Sequence, residues 1–261
     1  MEIIVCVKQV PDTTEVQIDP ETGTLIREGV PSIVNPFDLN AVEAALQLRD
    51  EHGGSVTVVT MGPPQAKDAL KECLAMGANE AVLCCDKEFA GADTWATSYT
   101  LAKAIETIGE YDLVLCGKEA IDGDTAQTGP GIAEQLGIPQ VTYLQKIVKV
   151  EEDKMQVERV IDGGSETIEI PLPALMTCEK SLNEPRYATI KGTMKANKKE
   201  IPEYTAETIS AKPESIGLKG SPTQVKKVFA PEKKKGGEVI EGEPEEAVKT
   251  LIERLKDTNV I

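Results

Sequence analysis

The sequence predicts an α/β fold, a mostly parallel sheet with helices on both faces. Three observations point to it. Short apolar runs suited to strands buried on both faces recur at residues 3–7, 55–61, 81–85 and 113–116. Stretches of helical length with one apolar side separate them. Turn residues punctuate the joins, as at Gly53-Gly54, Gly62-Pro63-Pro64 and Gly77-Ala78-Asn79. Strands alternating with helices at this spacing build βαβ units with right-handed crossovers, a Rossmann-like arrangement.

In chain order, residues 3–7 are the first strand and Lys8 to Asp12 a polar loop. Residues 15–19 alternate, 20–23 turn and 24–27 return, which predicts a hairpin. Residues 33–38 lead into a helix whose apolar side is Ala41, Ala44, Ala45 and Leu48, and Gly53-Gly54 stops it. The second strand, 55–61, feeds a helix over 65–76. The third, 81–85, feeds a helix over 93–107 capped near Asp93 or Thr94. The fourth, 113–116, runs through a loop into a helix over 131–136. After Pro139 the pattern changes. Residues 146–150, 155–160 and 167–170 alternate, with turns at 151–153 and 162–164. That predicts an antiparallel β-meander over about 145–170, appended to the main sheet. Residues 173–178 are apolar again and rejoin that sheet. From 181 to 231 the chain is polar, rich in Pro, Lys and Ser, and weakly periodic. So long a run points to an extended arm packed on a partner subunit. It ends in a helix over 245–256 with Ala247, Leu251, Ile252 and Leu255 on one side. Two units are therefore expected: a domain over 1–190, and a C-terminal arm and helix over 191–261.

A chain of 261 residues with 40% hydrophobic content can bury a large core. Aromatic residues are only 3%, so that core is built of Val, Ile, Leu and Ala. The net charge of −16 argues against nucleic acid and against an anionic membrane surface as partners. The basic runs at 195–199 and 233–235 read as solvated surface. No apolar run of roughly 18 residues is present, so no bilayer span is expected. The apolar start, 1–7, has no basic region or cleavage site and reads as a strand rather than a leader. The six cysteines include no Cys-x-x-Cys pair, so neither zinc nor an iron–sulfur cluster is signalled. Free buried thiols in a reducing cytoplasm is the plain reading. His52 is the only histidine, which leaves a Ser-His-Asp or Cys-His machine almost nothing to work with. Chemistry, if the chain takes part in any, then belongs to a bound cofactor.

The most informative stretch is 112–137. A buried strand ends at Gly117, and Asp122, Gly123, Asp124, Thr125, Gln127, Thr128 and Gly129 follow before a helix start. Small residues, hydroxyls, an amide and a helix N-terminus meet the needs of a phosphate or pyrophosphate cradle. The same residues also serve as an ordinary loop that caps its helix. In a doubly wound sheet, ligands bind beyond the carboxyl ends of the strands. Three loops reach that edge, at 6–11, 60–64 and 117–129. The Asn35-Pro36-Phe37-Asp38 link can join them.

With those residues laid out, the chain resembles the β subunit of electron transfer flavoproteins over nearly its whole length. The resemblance rests on Val5-Cys6-Val7-Lys8-Gln9-Val10-Pro11-Asp12, on Asn35-Pro36-Phe37-Asp38 with Ala41-Val42-Glu43, and on the 112–137 stretch. It rests also on 157–167 running on to Pro173-Ala174, and on Leu182-Asn183-Glu184-Pro185-Arg186-Tyr187-Ala188-Thr189. No single motif decides it; order and spacing together do. The resemblance implies a heterodimer with an α subunit that carries one FAD. The β subunit would hold an adenine nucleotide at the sheet edge. Ligand contacts carried over by position are Cys6, Asn35, Pro36, Phe37, Asp38 and Met61, then Gly117, Lys118, Ala120, Ile121, Asp122, Gly123, Asp124, Thr125, Ala126, Gln127 and Thr128. Arg186, Tyr187, Ala188, Thr189 and Ile190 would dock a partner flavoenzyme such as an acyl-CoA dehydrogenase. Ile190 tucked against its own loop is the plainer alternative. The family has two branches. A housekeeping β subunit binds structural AMP, and a bifurcating one binds a second FAD that takes hydride from NADH. It then sends one electron to ferredoxin and one through the α-subunit FAD. Asp122-Gly123-Asp124-Thr125 looks more like the bifurcating form, because Gly123 adds no bulk or charge beside a pyrophosphate. The chain is therefore expected to be an electron-transfer subunit with no acid–base residue of its own.

Overall fold

The computed structural model describes residues 1–12, 17–18, 25–26, 31–226, 237, 239–258 and 260–261. The first strand, β1 (Glu2–Cys6), is followed by β2 (Gln9–Pro11) and the short pair β3 (Gln17–Ile18) and β4 (Leu25–Ile26). β5 (Ser32–Val34) then runs antiparallel to β2. The predicted hairpin is present as the antiparallel β3–β4 pair, and its turn at 20–23 lies outside the described residues. The β2–β5 pair replaces the expected polar loop at Lys8 to Asp12. Val10, buried between half-buried Gln9 and Pro11, pairs with Ile33 and supplies the apolar anchor.

Next come α1 (Pro36–His52), β6 (Ser55–Met61), α2 (Lys67–Met76), β7 (Glu80–Cys84), α3 (Thr94–Ile108), β8 (Leu113–Gly117) and α4 (Thr128–Leu136). Pro36 starts α1 at its first position, where its missing N–H costs nothing. Asp93 caps α3 as expected, accepting from the N–H groups of Trp95 and Ala96. α4 begins at Thr128, three residues before the start expected from sequence. Gly129 and Gly131 read as loop residues but are packing residues. A β-carbon on Gly129 would fall 2.8 Å from Cys116 Sγ, and one on Gly131 would strike the Ser98 hydroxyl.

The chain continues through β9 (Gln140–Val150), β10 (Lys154–Ile161), β11 (Gly164–Pro171) and β12 (Ala174–Cys178). It then forms α5 (Ile190–Lys198), β13 (Glu203–Tyr204) and α6 (Pro244–Asp257). One nine-stranded sheet holds the molecule, in the order β11-β10-β9-β12-β8-β1-β6-β7-β13. From β9 to β13 in that order every pairing is parallel. The predicted meander exists but is continuous with the main sheet. β9 starts at Gln140, pairs in parallel with β12, and pairs antiparallel with β10. A register break at Tyr143, whose φ is +61°, lets one strand serve both partners.

Two apolar layers cover the sheet. α1 and α2 lie over one face with Ile3, Val5, Leu113 and Leu115, and α3 and α4 over the other with Ile4, Val114 and Cys116. Aliphatic side chains fill both layers, as the low aromatic content requires.

The weakly periodic run after 181 is not loose. Ala196 and Ile201 enter the first layer, and Ala206, Ile209 and Ile216 the second. Asp93 and Asp86 accept from the backbone N–H groups of Thr223 and Ala206. Single apolar anchors and side-chain-to-backbone bonds hold its described part, as far as Thr223, on its own chain, a pattern without periodicity for a sequence scan to detect. The 190/191 boundary expected from sequence falls at the start of α5, and β13 beyond it adds a strand to the sheet. On α6, Val248, Leu251 and Ile252 are exposed.

Candidate functional site

β1 lies at the centre of the parallel sheet with β6 on one side and β8 on the other. The chain runs from β1 outward through β6 and β7, then returns to add β8 beside β1. Their register pairs Ile3 with Leu113 and Cys6 with Cys116. The loop after β1 leads toward α1, and the loop after β8 leads toward α4 on the opposite face. The two loops leave toward opposite faces, and in such a sheet the switch-point crevice at the carboxyl ends of β1 and β8 is the expected ligand site.

The amino end of α1 braces that crevice. Asn35 and Asp38 are 1% and 6% exposed. Asp38 Oδ2 accepts from Lys8 N–H at 2.7 Å, and its Oδ1 accepts from Gly117 N–H at 3.0 Å. One carboxyl group thus ties the ends of both strands. Asn35 donates its backbone N–H to Lys8 O at 2.9 Å. Its side chain donates to Glu119 O at 2.8 Å and accepts from Ile121 N–H at 3.1 Å. An asparagine before a helix usually caps that helix. Here its amide is spent on the 119–121 backbone instead. Gly117 is glycine for room: a β-carbon would strike Asp38 Oδ1 and lie 2.7 Å from the Phe37 carbonyl carbon. Burial pushes the Asp38 pKa up to about 7, against the pull of hydrogen bonds from Asn35, Lys8 and Gly117.

The loop after β8 then turns outward. Gly123 and Asp124 N–H both donate to Ala120 O, at 3.1 and 2.9 Å. Asp124 and Ala126 hold φ of +50° and +53°, conformations that cost non-glycine residues of order 1 kcal/mol each. Residues 121–125 are exposed. Gln127 precedes α4 without a side-chain cap. Its amide oxygen accepts instead from the Thr94 hydroxyl at 3.3 Å. The amino end of α4 is left to attract negative charge. Lys8 Nζ reaches across from the β1 side to Asp122 Oδ1 at 2.6 Å.

The residues carried over by resemblance fall into three groups. Asn35 to Asp38 and Gly117 to Thr128 converge on the crevice. Met61 ends β6, the strand next to β1, at the same sheet edge. Cys6 lies under the crevice, buried beside Cys116, and burial pushes its thiol pKa well up. Lys118 sits 5.4 Å from the Phe37 ring and 5.7 Å from that of Tyr143, with Glu119 and Glu179 each at 3.4 Å.

In the 186–190 run, Arg186 turns inward. Its guanidinium holds Glu43 at 2.8 Å and Asp50 at 2.9 Å on α1. Thr189 caps α5 through Gly192 N–H. Tyr187 and Ile190 are 95% and 84% exposed, so Ile190 is not tucked against its loop. Met194, one helical turn further, is exposed beside them. Sequence reasoning passed over Lys8 and Met194. A lysine just beyond the strand end and an i, i+4 apolar pair in α5 were the available signals.

Two surface cavities lie elsewhere, one between α2 and the 197–203 segment and one between α1 and the 180–185 segment. Among the described residues no cluster of His, Cys, Asp and Glu is arranged to hold a metal ion, and no helix is long and apolar enough to cross a membrane.

These features define a Rossmann-like α/β protein whose candidate ligand site is the crevice at its topological switch point. Comparison with known proteins makes the class particular. Residues 22–209 match the electron transfer flavoprotein domain. The electron transfer flavoprotein subunit beta of Thermoanaerobacterium thermosaccharolyticum is 56% identical over the full length of both chains. The caffeyl-CoA reductase-Etf complex subunit CarD of Acetobacterium woodii is 54% identical, again over both full lengths. Protein FixA of Azorhizobium caulinodans is 49% identical over 88% of this chain and 85% of its own. The chain belongs to the electron transfer flavoprotein family as a β subunit, one component of an electron-transfer flavoprotein complex.

The brace has a pH signature. Asp38 is harder to ionise folded than unfolded, so the folded chain holds a proton that the unfolded chain releases between about pH 4 and 7. Stability from this group is therefore lost as pH rises through that window, by at most ~1.4 kcal/mol per pH unit. Asp38→Asn removes the titration along with one backbone acceptor. Urea unfolding should find the variant less stable at pH 5, with the gap to wild type narrowing toward pH 7.5. A gap constant with pH would mean that the two amides keep the carboxyl ionised throughout.

Proposed function

We propose that this β subunit holds FAD, with its adenine and phosphate portion in the β1/β8 crevice, and that it serves NADH-dependent electron bifurcation. The observation that carries the reading is the brace: Asn35 and Asp38 hold the ends of both strands and the 119–121 backbone in one rigid unit. A phosphate-bearing ligand needs such a fixed frame of backbone donors. The residues fit the group. The amino end of α4 has no side-chain cap, and two non-glycine residues beside it are held in left-handed conformations. Gly123 supports the same reading. Its φ is ordinary and a β-carbon there would meet nothing within 4 Å, so nothing in the chain's own fold calls for a glycine. A ligand passing close to its backbone accounts for it.

FAD bound there would supply the redox chemistry, hydride uptake from NADH with single-electron transfer to ferredoxin and, by way of an α-subunit FAD, to a partner dehydrogenase. The chain's own residues bind, orient and shield. The N–H groups near the start of α4 would hold the phosphates, and Asn35 and Asp38 keep the two strand ends from separating. The buried Cys6 and Cys116 thiols form the apolar floor and remain protonated. Six free cysteines suit a reducing cytoplasm.

Two outward surfaces fit the proposed partners. Tyr187, Ile190 and Met194 offer an apolar docking patch for a flavoenzyme of the acyl-CoA dehydrogenase type. One relative carries the name of a subunit of a caffeyl-CoA reductase complex. α6, with Leu251 and Ile252 exposed, suits an α subunit.

The deciding experiment counts flavins in the purified complex. Two per αβ pair are expected. One flavin accompanied by AMP would overturn the bifurcating reading and favour a structural AMP site. Gly123→Asp should lower β-subunit nucleotide content several-fold through crowding and added negative charge; unchanged content would remove the phosphates from this loop.

Ile190→Ala should slow electron delivery to the partner flavoenzyme about tenfold, as loss of one buried apolar anchor would. NADH-driven flavin reduction should be unaffected. Unaltered delivery would move the docking surface elsewhere.

A further inference from the structure

Lys8 lies two residues beyond β1, and Asp122 five beyond β8, on the two loops that border the crevice. Their side chains meet at 2.6 Å and are 49% and 32% exposed. The backbone of Lys8 is fixed on both sides, its N–H on Asp38 and its carbonyl on Asn35. Only its side chain is left to swing. Lys118, another cation at this edge, is committed to two glutamates and two aromatic rings.

We infer that Lys8 is a phosphate-contacting residue of the nucleotide site, and that Asp122 positions it and competes with the phosphate for it. The inference rests on the crevice being the nucleotide site and assigns to that site a residue outside the set carried over by resemblance. The loop at the amino end of α4 carries two carboxylates, Asp122 and Asp124, which repel an incoming phosphate. Lys8 answers this twice. It neutralises Asp122, and it brings an ammonium to the mouth of the crevice. An exposed ion pair is weak and exchanges readily. A charge-assisted contact between lysine and a pyrophosphate, which carries two negative charges in all, is stronger. Nucleotide binding then takes Lys8 from Asp122, and the acid sets how much of the lysine is available.

The test uses the full chain in complex with its flavin-bearing partner, with the β-subunit nucleotide removed, titrated calorimetrically with AMP, ADP and adenosine. Lys8→Met should weaken AMP and ADP about tenfold and leave adenosine within twofold. Lys8→Arg should stay within threefold of wild type. Asp122→Asn should tighten AMP about threefold, and that gain should vanish when Lys8→Met is present. Three results would each overturn the inference: AMP affinity untouched by Lys8→Met; adenosine weakened as much as AMP, which marks a loop-shaping role; or the Asp122→Asn gain persisting without Lys8, which marks simple repulsion. Wild-type complex that takes up neither AMP nor ADP would bring down the crevice reading itself.

Discussion

A single carboxyl group holds the architecture of the site together. Asp38, in the first turn of α1, accepts from the backbone at the ends of two neighbouring parallel strands. A parallel sheet has no intrinsic reason to keep the loops at its switch point in register, because they leave toward opposite faces. Asp38 supplies that reason, and Asn35 extends it along the loop after β8 as far as Ile121. The cost is a carboxyl group in an apolar setting whose pKa is driven up to about 7. Stability is surrendered to fix a surface, a trade expected where a site must be preorganised.

Much of this was legible in the sequence. Strands buried on both faces announce themselves as continuous apolar runs, and all four were found. The return of Ala174–Cys178 to the main sheet was also readable, because the run after Pro173 is apolar but for Thr177; its parallel pairing with β8 was not. The convergence of Asn35 to Asp38 with the loop after β8 followed from topology and resemblance together. The roles of its members did not. Asp38 and Asn35 sit where capping residues sit, and sequence alone does not say that both side chains point away from their own helix.

Other elements were hidden for definable reasons. The start of α4 was masked by Gly129 and Gly131, which signal a loop yet exist for close packing against Cys116 and Ser98. α5 was hidden in a lysine-rich run with one buried residue, Ala196. β2 and β5 are three residues each, too short for alternation to register. Arg186 was placed on a docking surface by its neighbours, but Glu43, buried on α1, claims it. The outward-facing features behave differently. Tyr187, Ile190, Met194 and the apolar side of α6 stay exposed on the chain itself, the pattern of surfaces that meet other proteins.

On the proposed reading the nucleotide sits in the β1/β8 crevice braced by Asp38. A crystal structure of the αβ complex saturated with its nucleotide addresses that claim most directly. Phosphate density is expected between residues 121–128 and Lys8, over the carboxyl ends of β1 and β8, with Asp38 still bound to Lys8 and Gly117 N–H. Nucleotide density elsewhere on the chain, such as the cavity between α2 and residues 197–203, with the crevice closed by protein, would contradict it.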